Sequence, residues 1–179
     1  MPNHIIKLKV LFLFVNSLIK FFKRKFWTAI IKTTCKKYGR DLTVNAYSRI
    51  GSNVAIGDNC NFNGMHISSG GDVFIGSNFH SGPKCKIIVQ YHNYDAGKSI
   101  PYDDSVVHQT VVIEDNVWIG YHVIILGTVR IGEGAVIQAG SVVVNDIPKC
   151  AIAGGNPAKV FKMRDIEHYN KLKRLCKFY

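Results

Sequence analysis

Large aliphatic side chains return every sixth residue through the second half of the chain: Ile113, Ile119, Ile125, Ile131, Ile137, then Val143. Upstream, Ile50, Ile56 and Phe62 keep the same interval, and Ile75 resumes it. The fifth place of the repeat holds a small or slender residue, as at Val54, Cys60, Val117, Val123, Val129, Ala135 and Ser141. A helical face recurs about every 3.6 residues and a strand face about every 2, so neither singles out each sixth position. A short strand followed by a sharp corner does. The large aliphatic then points inward and stacks on its equivalents in neighbouring turns, while the small residue fits where the corner leaves little room. Gly and Asn follow the aliphatic repeatedly, as in "IGSNVA", "IGDNCN" and "IGEGAV". Both tolerate the backbone conformations a corner demands. One turn cannot bury its own aliphatics, so the pattern predicts a coil of several stacked turns over residues 41–156.

The cadence lapses twice. Phe62 to Ile75 spans thirteen residues, and Ile75 to Ile113 spans thirty-eight. The longer gap contains "QYHNYDAGKSIPYDDSVVHQT" and predicts a loop over 91–110 that leaves the coil, the kind of place where function concentrates on a rigid scaffold. Residues 1–40 lack Gly before Gly39 and Pro after Pro2, which predicts a helix ending near Gly39. Its uninterrupted apolar core runs six residues, Val10 to Val15. A membrane span needs roughly 20, and the following "NSLIKFFKRKFW" offers a poor small-residue cleavage site for a signal peptide. Residues 157–179 open on Pro157 and carry Val160, Met163, Ile166, Tyr169 and Leu172 at helical spacing, predicting a C-terminal helix packed on the coil.

Charge alters the reading of the first segment. The net charge of +11 would by itself suggest nucleic acid. However, residues 1–40 carry ten Lys and Arg and no acid, while the remaining chain carries thirteen basic and twelve acidic residues. The excess belongs to the helix, and nucleic acid is not an expected partner. Two readings of residues 1–40 stand: an interfacial helix on anionic lipid, or a helix whose apolar face packs on the body with its lysines solvated. The five cysteines are scattered and form no C-x-x-C, which fits reduced thiols in a cytoplasmic protein, peripheral at the inner face of the membrane on the first reading.

Candidate chemistry sits at the root of the long gap. His92 titrates near neutral pH and can take a proton from a reacting hydroxyl. Asp95, three residues on, either orients His92 or forms the turn.

The repeat, the "YHNYD" stretch, the resumption "IEDNVWIG" and the closing "GGNPAKV" together resemble the hexapeptide-repeat acyltransferases. The similarity covers about residues 44–162 and points to the galactoside and maltose acetyltransferases and to bacterial polysaccharide O-acetyltransferases. It implies an all-β, left-handed parallel β-helix of about five coils, flanked by the two helices and interrupted by the loop. It also implies acetyl-CoA as co-substrate and direct O-acetylation of a sugar hydroxyl in cell-surface polysaccharide biosynthesis, with His92 as general base. In that family the catalytic His stands in a T-x-H-P-x-D-like stretch; here Asn93 replaces the Pro. Asn63, closing "IGDNCNFN", matches a family active-site Asn and reads otherwise as a corner residue. Trp118, Tyr121, Ala139, Val144 and Asn145 match positions along the pantetheine arm, and Lys159 and Lys162 match the basic residues that meet the CoA phosphates. The resemblance further implies a homotrimer with sites between subunits, a small-molecule or glycan acceptor, and no metal. A zinc carbonic anhydrase on the same coil needs two His five positions apart, and none of the seven His here are so spaced. The remaining alternatives are N-acetylation of a nucleotide-linked amino sugar and a non-catalytic scaffold.

Overall fold

In the computed structural model, which describes residues 2–179, the six-residue cadence is one side of a triangular coil. Met1, part of the segment read above as helical, lies outside the described residues. Strands of two to four residues stack into three parallel sheets, and hydrogen-bonded neighbours in each sheet are successive turns. Where the winding is undisturbed, each residue pairs with one eighteen places on: Val111 to Val129, Trp118 to Val136, Ile124 to Val142. The result is a left-handed parallel β-helix.

The burial pattern follows the repeat. All ten large residues of the cadence and all seven of the small fifth places are buried. The one polar member, Ser141, is satisfied inside: its hydroxyl donates to the Gln138 carbonyl at 2.6 Å and accepts from the Gly155 amide at 3.2 Å. Each turn alone would leave these groups in water, so the core exists only through stacking.

One edge of the prism is a column of left-handed residues. Asp41, Asn59, Asn78, Asn116 and Cys150 all take positive φ there, with Gly134 at φ 71° in the same column. Asn suits this position because its short side chain tolerates the conformation and can both donate and accept. Asn59 donates to Asn78, Asn78 to Asn116, and Asn116 to the Tyr169 hydroxyl, each at 2.9 Å. At Gly134 a Cβ would stand 2.7 Å from the Tyr169 ring, so the column ends where the C-terminal segment docks. There Glu133 accepts from the Tyr169 hydroxyl at 2.8 Å, from Lys149 at 2.9 Å and from Lys173 at 2.6 Å.

The flanks depart in part from the expected elements. Helix α1 spans Pro2–Thr34, with only its last quarter on the body. Ile31 is buried, Trp27 and Ile30 pack on the coil, and Thr28 and Thr34 bond to Val44 and to the Ile50 carbonyl. The region 157–179 is not one helix. Lys159–Met163 runs as a strand antiparallel to Ala151–Gly154, and helix α2 spans only Ile166–Arg174. Two causes act. The strand covers the otherwise open edge of the last turn, and Asp165 caps α2 by accepting from the His168 amide at 2.9 Å, which fixes the helix start there.

The long excursion is a β-hairpin and not an irregular loop. Gln90–His92 pairs antiparallel with Val106–His108, and residues 93–105 form its tip. The winding resumes in register beyond it, with Ile119 pairing Ser81 and Ile125 pairing Ile87.

Candidate active site

The hairpin is seated by two glycines. A Cβ on Gly70 would collide with the Gln90 side chain, and one on Gly71 would collide with the Gln109 carbonyl. "SSGG" therefore provides the clearance that lets both hairpin roots cross the preceding turn. His92, the last residue of the first hairpin strand, is exposed. Its ring stacks on Tyr102 from the tip, with centroids 4.0 Å apart and planes 13° from parallel. The tip is braced by polar turns: Asn93 accepts from the Ala96 amide at 3.0 Å, and Asp103 accepts from the Ser105 amide at 2.9 Å and the Lys98 amide at 2.6 Å. The Ser105 hydroxyl also donates to Asp103, and these bonds hold its carboxylate below the usual range, the hydroxyl contributing most. Asn93 and Asp103 thus build the turn. Asp95 is exposed, and no hydrogen bond joins it to His92 among the described residues.

Asn63 is half-buried on the coil with its carboxamide engaged at both ends. Its oxygen accepts from Asn45 at 3.0 Å and its nitrogen donates to the Ser81 carbonyl at 2.8 Å. It lies at the edge that follows the sheet holding Asn61–Phe62, Trp118–Ile119 and Val136–Ile137. Tyr121 and Ala139 occupy the same edge on later turns, where the Tyr121 carbonyl accepts from the Gly140 amide at 2.8 Å. Turns approach so closely here that a Cβ on Gly120 would stand 2.6 Å from the Ala139 nitrogen. Trp118 and Lys162 lie in one row across that sheet, by way of Val136 and Ile152. Lys159 stands opposite Gly154, and Val144 and Asn145 follow the strand Val142–Val143 on another face. All seven of these residues are exposed.

The hairpin leaves the coil elsewhere. It follows the strand Cys85–Ile88 and precedes Val111–Ile113, so it emerges at the edge between the two four-stranded sheets. Within one chain, His92 therefore springs from a different edge from the one carrying Asn63, Tyr121 and Ala139.

Sequence reasoning missed a further feature. A cavity of about 420 Å³ opens between the coil and the C-terminal segment. Trp118 and His80 line one wall; Arg164 and Lys177 bring cations to the other, where the Lys173 ammonium is already paired with Glu133. The chain end closes it: the Tyr179 ring lies 5.6 Å from His80, and its carbonyl accepts from Asn59 at 3.0 Å. Such a cavity can hold an anionic group next to a flat ring. The signal available in the sequence was the basic run Lys171, Lys173, Arg174 and Lys177, whose placement depends on where α2 docks.

Cys60, Cys85 and Cys150 are buried, and burial pushes their thiols up, Cys60 to about 11. Thiols so disposed are poor nucleophiles. Among the described residues no group of three or more His, Cys, Asp and Glu is placed to hold a metal ion.

Residues 110–145 match the bacterial transferase hexapeptide (six repeats) family. Galactoside O-acetyltransferase of Escherichia coli is 36% identical over 130 residues, covering 70% of this chain and 63% of that enzyme. A solved galactoside acetyltransferase in complex with coenzyme A superposes with a TM-score of 0.66 at 32% identity, covering 79% of this chain and 71% of that one. A hexapeptide-repeat acetyltransferase of Vibrio cholerae complexed with acetyl coenzyme A gives a TM-score of 0.66 at 28% identity, covering 75% and 74%. The chain spans less than two thirds of the length of the curated relatives it matches.

Proposed function

The chain belongs to the hexapeptide-repeat acetyltransferase family, and from that premise we propose that it moves an acetyl group from acetyl-CoA to a sugar hydroxyl, with His92 as the base. The observation that carries the assignment is the position of His92: an exposed imidazole where the first hairpin strand meets the tip, held by a stacked tyrosine and turned away from the aliphatic interior.

The transfer is direct. His92 accepts the proton of the acceptor hydroxyl as its oxygen bonds to the thioester carbonyl carbon. The carbon–sulfur bond then breaks, and the imidazolium returns the proton to the departing thiolate. The raised thiols of the buried cysteines support this route over a cysteine-bound acetyl group. Asn63 is fixed by its two bonds, and its role is to hold the edge along which the pantetheine arm runs past Tyr121 and Ala139. Trp118 flanks the arm. Lys159 and Lys162, joined by Arg164 and Lys177 at the cavity, meet the phosphates. Asp95 has no place in this scheme as the hairpin stands.

Because His92 and the arm-binding edge belong to different corners of one coil, a complete site needs His92 from one subunit and the edge from a neighbour. This supports a trimer with intersubunit sites. The acceptor we assign is a glycan of bacterial cell-surface polysaccharide biosynthesis.

The test is thiol release from acetyl-CoA across a panel of glycans and amino-sugar nucleotides. Turnover is expected with hydroxyl acceptors, and His92→Ala should lower it by roughly 10²–10⁴. Undiminished turnover by that variant removes His92 as the base, and turnover confined to amino sugars replaces O-transfer with N-transfer.

A further inference from the structure

Helix α1 projects from the coil with most of its length unpartnered. From Ile6 to Phe26 its large apolar residues are all at least 41% exposed, reaching 72% at Leu8 and 67% at Phe12. Contact with the body begins only at Trp27. No helix among the described residues is long and apolar enough to cross a membrane.

The exposed part is two-faced. At about 100° per residue, residues 8–26 place Val10, Leu11, Phe14, Leu18, Phe22 and Phe26, among others, on one arc of roughly 200°. Lys9, Asn16, Lys20, Lys23 and Arg24 fall on the opposite side, with Leu13 the one large apolar residue among them. Lys25 alone among the cations of this stretch falls within the apolar arc, beside the Phe21 ring with its ammonium 5.7 Å from the centroid. A long flexible stem lets such a side chain carry its charge back to water or a headgroup.

We propose that residues 8–26 lie flat on an anionic phospholipid surface, apolar arc in the acyl boundary and lysines at the headgroups, tethering the coil through Trp27–Thr34. Charge decides between this partner and a second copy of the helix. Leu8, Phe12, Val15, Ile19, Phe22 and Phe26 do recur at alternating spacings of four and three, as a coiled-coil seam would. Such a seam covers only part of the arc and leaves Val10, Leu11, Phe14, Leu18 and Phe21 in water. It also gathers cations from every helix with no acid anywhere in residues 1–40 to offset them. A lipid surface covers the whole arc and supplies the missing negative charge. The inference stands apart from the acetyl-transfer reading.

The test is sedimentation of the full chain with vesicles of phosphatidylglycerol and phosphatidylcholine, beside vesicles of phosphatidylcholine alone. Binding is expected to the first at low salt, much less to the second, and to weaken as salt rises. Replacing Lys20, Lys23 and Arg24 with Gln should lower the partition on the order of a hundredfold. These side chains are exposed, so the circular dichroism spectrum and thermal midpoint without vesicles should be unchanged and report that the coil is folded. Leu11→Gln with Leu18→Gln should also abolish binding. Absence of binding, or equal binding to both vesicle types, overturns the proposal. So does a fall in oligomer mass for the Leu variant, by sedimentation velocity, with vesicle binding retained; that outcome assigns the face to a second copy.

Discussion

Tyr169 shows how much one hydroxyl can organise. It accepts from the last Asn of the column and donates to Glu133, joining the coil edge to the C-terminal segment. Tyr169→Phe leaves both partners short of a bond, and a loss of about 1–3 kcal/mol is expected in urea unfolding. Gly134→Ala should do more, because the new methyl meets the ring and the backbone there sits at φ 71°. Tyr102 works on His92 in the same manner, by fixing a ring. In Tyr102→Ala, kcat for thiol release should fall roughly ten- to hundredfold while KM for acetyl-CoA holds. A parallel rise in that KM would show that the tyrosine serves binding instead. At this scale the sequence was informative wherever burial is forced: every sixth residue had to be large because it faces its own copies. The Asn column was legible only as corner residues. Its hydrogen bonds depend on exact stacking of turns, which spacing alone does not convey.

The elements differ in how they announce themselves. The short coil strands alternate buried and exposed residues, and the repeat makes them visible. The hairpin strands have little buried surface, and Lys159–Met163 is exposed throughout, so no apolar alternation marks either as a strand. That strand forms because it meets an open sheet edge, a condition set by the whole coil. The docking of α2 carries a pH signature. Burial alone would push Glu133 upward, but hydrogen bonds from Lys173, Lys149 and Tyr169 outweigh it and hold the group down at about 2, against its ordinary 4.5. A depressed carboxylate stabilises the folded form above its unfolded value and loses that contribution as pH falls through the folded one. Docking of α2 should therefore weaken between about pH 4.5 and pH 2, and hydrogen-exchange protection at the Tyr169 amide, taken relative to the intrinsic rate at each pH, should fall over that range. In Glu133→Gln the acid dependence should largely vanish.

The molecule as a whole separates what holds it together from what acts. Stacked aliphatics carry the fold, and the hairpin, the exposed edge with Trp118 and Tyr121, and α1 are attached to its outside. The general plan was readable because it rests on a one-dimensional repeat. Which edge the hairpin leaves was not, since it depends on the phase of the winding at Cys85–Ile88. Replacing residues 90–108 with a short Asn-Gly corner should leave the melting temperature within about 4 °C, equivalent to roughly 1 kcal/mol for a chain of this size. Thiol release should disappear.

The winding closes over the gap as if nothing had been inserted, Ile119 meeting Ser81 and Ile125 meeting Ile87 in step. Beyond the clearance given by Gly70 and Gly71, an interruption the winding passes over in register is free to change. A lineage built on this plan can lengthen, shorten or exchange its finger while the rod beneath is inherited unaltered.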